Sequence, residues 1–378
     1  MGAGRRRRSG IGRGVGLAAL GALVAGAWAV RGVPAALGGR AAGDRADRIQ
    51  RSPQFRAGVF RNPVTSRIAL PEAGRDALRE LLFGGERRRP AGPVPLVAAA
   101  PAAPATAPPD ELNIIWYGHA SALIEIEGRR VLVDPIWSDR CSPAARIGPR
   151  RLHPPPVPLE RLPPVDAVLI SHDHYDHLDM ATVRALARAG TAPFLVPLGV
   201  GAHLERWGVP AARVVELDWT ESVALAGLTI TATAAYHFSG RGLARDRTLW
   251  GSWVVAGARR RVFYSGDSGY FEGYAEIGAG YGPFDAALVQ VGAYDPAWPN
   301  MHMFPEEAVA AHRELRGGLL VPMHWGTFNL ARHAWSDPVE RLWREAQARG
   351  VSLAVPRPGE RVRVDDPPPV DGWWRSVA

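Results

Sequence analysis

Residues 165–179 constrain this chain more than any other stretch, because an apolar run there ends in a dense cluster of metal-ligand residue types. Ala167 to Ile170 is short, branched and apolar, the pattern of a strand buried on both faces. His172, His174, Asp176 and His177 follow within seven residues as H-x-H-x-D-H. Imidazole and carboxylate at that density suit a borderline divalent metal, zinc first, with iron or manganese as alternatives. His172 and His174 alternate with Asp173, so they face the same way if extended geometry continues. Asp176 and His177 lie beyond the bend, where a turn can aim them at a second ion. A solvated polar loop would need none of this spacing.

Composition bounds the rest. A chain of 378 residues can bury a substantial core as one large domain or two ordinary ones. The formal charge is +8, and Arg5 to Arg8 supply half of it. Basic balance favours anionic partners such as phospholipid headgroups, phosphorylated substrates or nucleic acid. A nuclease reading rests on basicity alone, since no nucleic-acid module is present, and no nucleic-acid partner is expected. Cys141 is the only cysteine, which excludes an intrachain disulfide framework and a cysteine-based zinc cage.

The four arginines precede an apolar segment, Val15 to Val30, and a small-x-small site at Ala27-Trp28-Ala29. This order fits an export signal or signal-anchor over residues 1–32, with the remainder periplasmic or tethered to the inner membrane. Residues 33–110 read as an N-terminal arm. Phe55 and Phe60 are its aromatic anchors, a helix is expected over Pro71–Phe83, and Pro90–Pro109 is a Pro/Ala-rich linker. The hydrolase-like domain is expected over 111–362, and 363–378, with Trp373 and Trp374, reads as a loose tail.

Within that domain, apolar runs at 113–117, 122–126, 130–133, 167–170, 194–197 and 213–217 form a first set of strands. Residues 137–158 are rich in proline and arginine and read as a loop at the mouth of the site. A second set runs through 228–234, 252–255, 261–264, 286–291 and 319–323. Helices are expected over 180–188, from Pro305 to just before Gly317, and over 338–349. Three later strands deliver His237, Asp267 and His324 at their ends. Seven ligands fill two sites if one carboxylate is shared. His172, His174 and His237 would hold one ion, and Asp176, His177 and His324 the other. Asp267 would bridge them, because a carboxylate offers an oxygen to each ion and an imidazole cannot.

These residues, with Gly266-Asp267-Ser268-Gly269, resemble the metallo-β-lactamase superfamily, which implies an α/β fold: a four-layer αββα sandwich with two metals at the sheet edge. A narrower resemblance is to N-acyl-phosphatidylethanolamine phospholipase D. It is carried by Gly118-His119-Ala120-Ser121, Val133-Asp134-Pro135-Ile136, Ile147-Gly148-Pro149-Arg150, Leu249-Trp250-Gly251-Ser252-Trp253 and His324-Trp325-Gly326-Thr327-Phe328. It runs from about residue 60 to 360. Met301 and Met303 beside His302 differ from the animal enzyme.

The resemblance implies a phosphodiesterase acting on phospholipid at a membrane surface. Two ions ~3.5–4 Å apart can bridge one water, lower its pKa towards ~7 and present hydroxide to phosphorus. Asp176 acts in catalysis as a ligand and cannot be a free base while bound. His302 is the candidate for phosphate contact or leaving-group protonation. His119 and Asp134 are expected to orient ligands, and Tyr175 to line the pocket. A lactonase or other ester hydrolase on the same metals is the alternative. A non-catalytic metal- or lipid-binding module is disfavoured by the intact seven ligand positions.

Overall fold

The computed structural model describes residues 32–63, 87–98, 110–242 and 244–378. The arginine-led apolar segment, the helix expected over 71–83 and most of the Pro/Ala-rich stretch lie outside the described residues. Among the described residues, no helix is long and apolar enough to cross a membrane.

The arm is more structured than its sequence indicated. After a short helix, α1 (Val33–Ala36), comes α2 (Asp44–Arg51), with Asp44 and Asp47 in its first turn and Arg48 and Arg51 in its last. That charge order complements the helix dipole, and with only Ile49 of the helix buried its sequence carries no apolar stripe. Strands β1 (Phe55–Arg56) and β2 (Val59–Phe60) form a tight hairpin. Its two loop residues, Ala57 and Gly58, both have positive φ, as a two-residue hairpin turn requires. Phe60 is buried with Trp250 and Leu249, so the arm is docked on the main body.

The body consists of two seven-stranded sheets. The first contains β3 (Leu112–Gly118), β4 (Ser121–Ile126), β5 (Arg129–Val133), β6 (Ala167–Leu169), β7 (Phe194–Pro197), β8 (Val214–Leu217) and, far along the chain, β16 (Arg361–Arg363), in the order β16-β3-β4-β5-β6-β7-β8. The second contains β9 (Ser222–Leu225), β10 (Leu228–Thr233), β11 (Ser252–Ala256), β12 (Arg261–Tyr264), β13 (Phe284–Gln290), β14 (Gly317–Met323) and β15 (Ser352–Leu353), in the order β15-β14-β13-β12-β11-β10-β9. This mixed α/β architecture is the sandwich implied by the sequence resemblance.

Period-two alternation explains the layers. Ala167 and Leu169 turn inward against the other sheet, while Val168 and Ile170 turn outward. The outward pair packs beneath α3 (Met180–Ala189) and α4 (Gly201–Arg206), with Val183 and Leu204 in the contact. Helices α5 (Gly273–Tyr281), α6 (Pro305–Glu314) and α7 (Asp337–Arg349) lie with the second sheet, α6 touching β13 and β14. Because β5 and β6 are parallel, as are β12, β13 and β14, the strand ends of both sheets that carry the polar residues gather at one edge.

Two expectations are corrected here. Residues 363–378 are not loose: Trp373 and Trp374 are buried in a short 3-10 turn, Trp373–Val377. Trp373 Nε1 donates to the Val355 carbonyl at 3.0 Å and Trp374 Nε1 to Glu340 Oε2 at 3.1 Å. Two indoles carry too much apolar area to stay in water when a face beside Trp325 and Trp343 is open to them. The irregular loop after Trp137 borders a cavity of about 330 Å³ with Tyr175 and Arg241, separate from the pocket over the histidine cluster.

Candidate metal centre

Each polar residue at the edge is delivered by a strand end. Asp134 follows β5, His119 follows β3, and the 172–177 loop follows β6. From the other sheet, His237 follows β10, Asp267 follows β12 and His324 follows β14. The strand geometry assumed for His172 and His174 stops at Leu169, so a loop rather than β alternation sets their directions.

Fixed tautomers make the loop a ligand set. Asp134 accepts from the Ser171 amide at 2.7 Å, the Ser171 hydroxyl at 2.5 Å, the Tyr264 hydroxyl, and His177 Nδ1 at 2.7 Å. His177 Nδ1 is therefore the protonated nitrogen, which leaves Nε2 with a lone pair. Ser171 Oγ spends its proton on Asp134 and accepts from His172 Nδ1 at 2.9 Å, freeing His172 Nε2. His237 Nδ1 donates to the Met301 carbonyl at 3.1 Å, freeing its Nε2. Ligating histidines are oriented in just this way, through hydrogen bonds from the other ring nitrogen.

The freed atoms converge in two groups. His172 Nε2 and His237 Nε2 lie 2.9 and 3.3 Å from His174 Nδ1. Around Asp267 Oδ2, His177 Nε2 and His324 Nε2 lie at 3.1 and 3.2 Å, and Asp176 Oδ2 lies 3.0 Å from His324 Nε2. His172 Nε2 and His237 Nε2 lie 4.0 and 3.8 Å from the same Asp267 oxygen. Donor atoms on a tetrahedral ion with ~2.0–2.1 Å bonds are about 3.3–3.4 Å apart, so these spacings fit two divalent ions. His172 Nε2 and His237 Nε2, whose protons lie on the other ring nitrogen, cannot satisfy each other, and Asp267 Oδ1, His177 Nε2 and His324 Nδ1 are buried without hydrogen-bond partners. A His/Asp cluster able to hold metal is thus present.

The electrostatics agree. Burial opposes charge on Asp267 and Asp176, yet His177 and neighbouring imidazoles hold both carboxyls well below the usual range. Burial likewise opposes charge on His177 and His324, but Asp267 and Asp176 raise His177 well above the ordinary value and His324 to about 9. Burial, reinforced by nearby imidazoles, drives His172 and His237 well below it. Two carboxylates thus demand positive charge that protons on His177 and His324 supply when ions do not.

The remaining predicted residues divide. His119 Nε2 lies 2.9 Å from Asp176 Oδ2, which brings it into the second cluster rather than merely near it. His302 lines the pocket with Nδ1 3.9 Å from Asp267 Oδ2, and burial lowers its pKa to about 4. Tyr175 does not line this pocket: its hydroxyl donates to the Arg241 carbonyl at 2.6 Å and its ring lies under the Arg241 guanidinium. Sequence reasoning missed Ser171, Tyr264 and Asn62. Asn62 comes from the arm, 175 residues before the histidine it touches, and no local pattern marks it.

The pocket over the cluster has a volume of about 580 Å³. His174, Asp176, His237, Asp267 and His302 are among its polar lining, and Phe60, Phe238, Trp250, Trp298 and Leu330 among its apolar lining, with Phe238 against the rings of His174 and His237. Arg61 and Arg245 are exposed where they border it.

A sequence model described as the Beta-lactamase superfamily domain matches residues 129–325, which include His172 to His177, His237, Asp267 and His324. The chain belongs to the β-lactamase superfamily. It is similar to an uncharacterized protein of Mycobacterium tuberculosis, 51% identical over 363 residues, covering 93% of this chain and 96% of that one. It is also similar to the N-acyl-phosphatidylethanolamine-hydrolyzing phospholipase D 1 of Caenorhabditis elegans, 37% identical over 247 residues, covering 62% of this chain and 69% of that protein. Among solved structures, a metallo hydrolase from the archaeon Ignicoccus hospitalis superposes with a TM-score of 0.53 at 25% identity, covering 67% of this chain and 97% of the other. This member of the β-lactamase superfamily is a metal-dependent hydrolase.

Proposed function

We propose that the protein is a zinc-dependent phosphodiesterase of phospholipase D type, hydrolysing N-acyl-phosphatidylethanolamine-like lipids. The observation that carries this reading is the pocket itself: a cluster suited to two cations, aromatic residues lining the same cavity, and Arg61 and Arg245 bordering it. An anionic phosphodiester with an apolar tail matches that combination of surfaces. The 37% identity to the nematode phospholipase D supports the same substrate class.

His172, His174, His237 and Asp267 would hold one ion, and Asp176, His177, His324 and Asp267 the other, with His119 bonded to Asp176. Bound divalent ions supply Lewis acidity and make water a competent nucleophile near neutral pH. The chain's own residues do the rest. Asp134 and Ser171 fix the imidazoles so that no reorientation accompanies reaction. His302, kept neutral by burial, is suited to contact a phosphoryl oxygen through an N–H, and less suited to deliver a proton as an imidazolium. Phe238, Trp250 and Trp298 exclude water from the apolar part of the substrate.

The arginine-led segment supports placing this domain outside the cytoplasm at a membrane face; a periplasm-only reporter fused after residue 60 and silent in cells would argue against it. The substrate reading is tested by assaying purified protein on N-acyl-phosphatidylethanolamine, simple phosphodiesters and lactones. Release of N-acylethanolamine with phosphatidic acid is expected. Turnover confined to lactones would transfer the assignment to a lactonase on the same metals.

A further inference from the structure

The arm makes a contact that its sequence gives no reason to expect. Asn62 Oδ1 accepts the backbone N–H of His237 at 2.9 Å and the indole N–H of Trp250 at 3.1 Å. An amide oxygen has two lone pairs, and both are used. His237 and Trp250 are buried, so neither donor has water as a substitute. Trp250 Nε1 also reaches the Ala235 carbonyl at 3.0 Å, tying the bond to the segment that leads from β10 to His237.

His237 lies beyond the end of β10, where no ladder bond fixes its backbone. Its position is set from two sides: Met301 holds the ring at Nδ1, and Asn62 holds the main chain. The acceptor is itself anchored. Phe60 is buried and its amide bonds the Asp246 carbonyl at 2.8 Å. The Arg61 amide bonds the Gln54 carbonyl at 2.9 Å, and Arg45 of α2 bridges Glu205 and Glu216 of the main body.

We infer that Asn62 is a positioning residue for His237, so that the N-terminal arm is a working part of the metal centre. This rests on the dinuclear reading above. One consequence is specific to the ligand set: Asn62 reaches the cluster of His172, His174 and His237 through His237, and among the described residues it bonds no member of the cluster around Asp176, His177 and His324.

The test uses the full chain and zinc alone. Wild type, Asn62→Ala and Asn62→Asp are compared for zinc retained against a graded chelator and for the thermal transition of the metal-free proteins. Asn62→Ala should hold one ion about 10–100-fold more weakly, a typical effect of losing an outer hydrogen bond to a ligand, while the second ion keeps its affinity. Asn62→Asp, which retains the acceptor, should restore retention to near wild type. Cobalt substitution gives an independent readout, since Asn62→Ala should change the visible spectrum of one site only. Two ions held as in wild type by Asn62→Ala would overturn the inference and leave the dinuclear reading standing. A wild type holding fewer than two ions would overturn both. If Asn62→Ala does not fold, Asn62→Leu, which keeps the volume and removes the acceptor, decides: selective weakening of one ion upholds the role, and two ions held as in wild type overturn it.

Discussion

His177 Nδ1 and Asp134 Oδ2 lie 2.7 Å apart with both side chains wholly removed from solvent. This single pair fixes which nitrogen of His177 faces Asp267, and the same carboxylate reaches His172 through Ser171. Asp134→Asn keeps the shape but places an N–H where donors converge. Metal affinity should fall about 10–100-fold, with hydrolysis falling in parallel, because the tautomers are no longer held. Chelator competition on the purified variant measures this; wild-type affinity would show that Asp134 serves folding alone.

Asp267 is the hub of the cluster, with one oxygen within 4.0 Å of nitrogens from His172, His177, His237, His302 and His324. Asp267→Ala should therefore impair both ions at once and abolish hydrolysis. Elemental analysis after gel filtration should find well below two ions per chain. Retention of both with activity intact would remove Asp267 from the centre.

A pH effect on stability is expected at a histidine outside the ligand set. His153 is buried, donates Nδ1–H to the Pro154 carbonyl and accepts from Thr327 Oγ1 at 2.9 Å, a neutral tautomer. Burial lowers its pKa to about 4. Since the unfolded chain binds a proton near pH 6.5 and the folded chain does not, stability is fully present above that value and is lost as pH falls towards 4. The full loss is on the order of 3 kcal/mol. Urea unfolding of metal-free protein at pH 7.5 and 5 should show a decline that is smaller in His153→Gln; equal pH dependence in both would refute the assignment.

Much of the centre was legible because its signals are local. The H-x-H-x-D-H loop and the single ligands at strand ends stand out without knowledge of neighbours, and branched runs mark β6, β10 and β14 by composition alone. What escaped depends on tertiary contact. Tyr175 sits between ligands in sequence, yet the loop turns it towards Arg241. Helix α2 was hidden because only one of its residues is buried, and the burial of Trp373 and Trp374 required knowing that Trp325 and Trp343 leave a face for them. Asn62 could be found only once the arm was seen docked.

Hydrolysis is expected at phosphorus rather than at a carbonyl. Turnover of N-acyl-phosphatidylethanolamine in ¹⁸O-water, followed by mass spectrometry of both products, tests it most directly. Attack at phosphorus predicts one ¹⁸O in the phosphate of phosphatidic acid and none in the N-acylethanolamine. Label in a released carboxylate would contradict the account and assign the same metal cluster to ester or lactone chemistry.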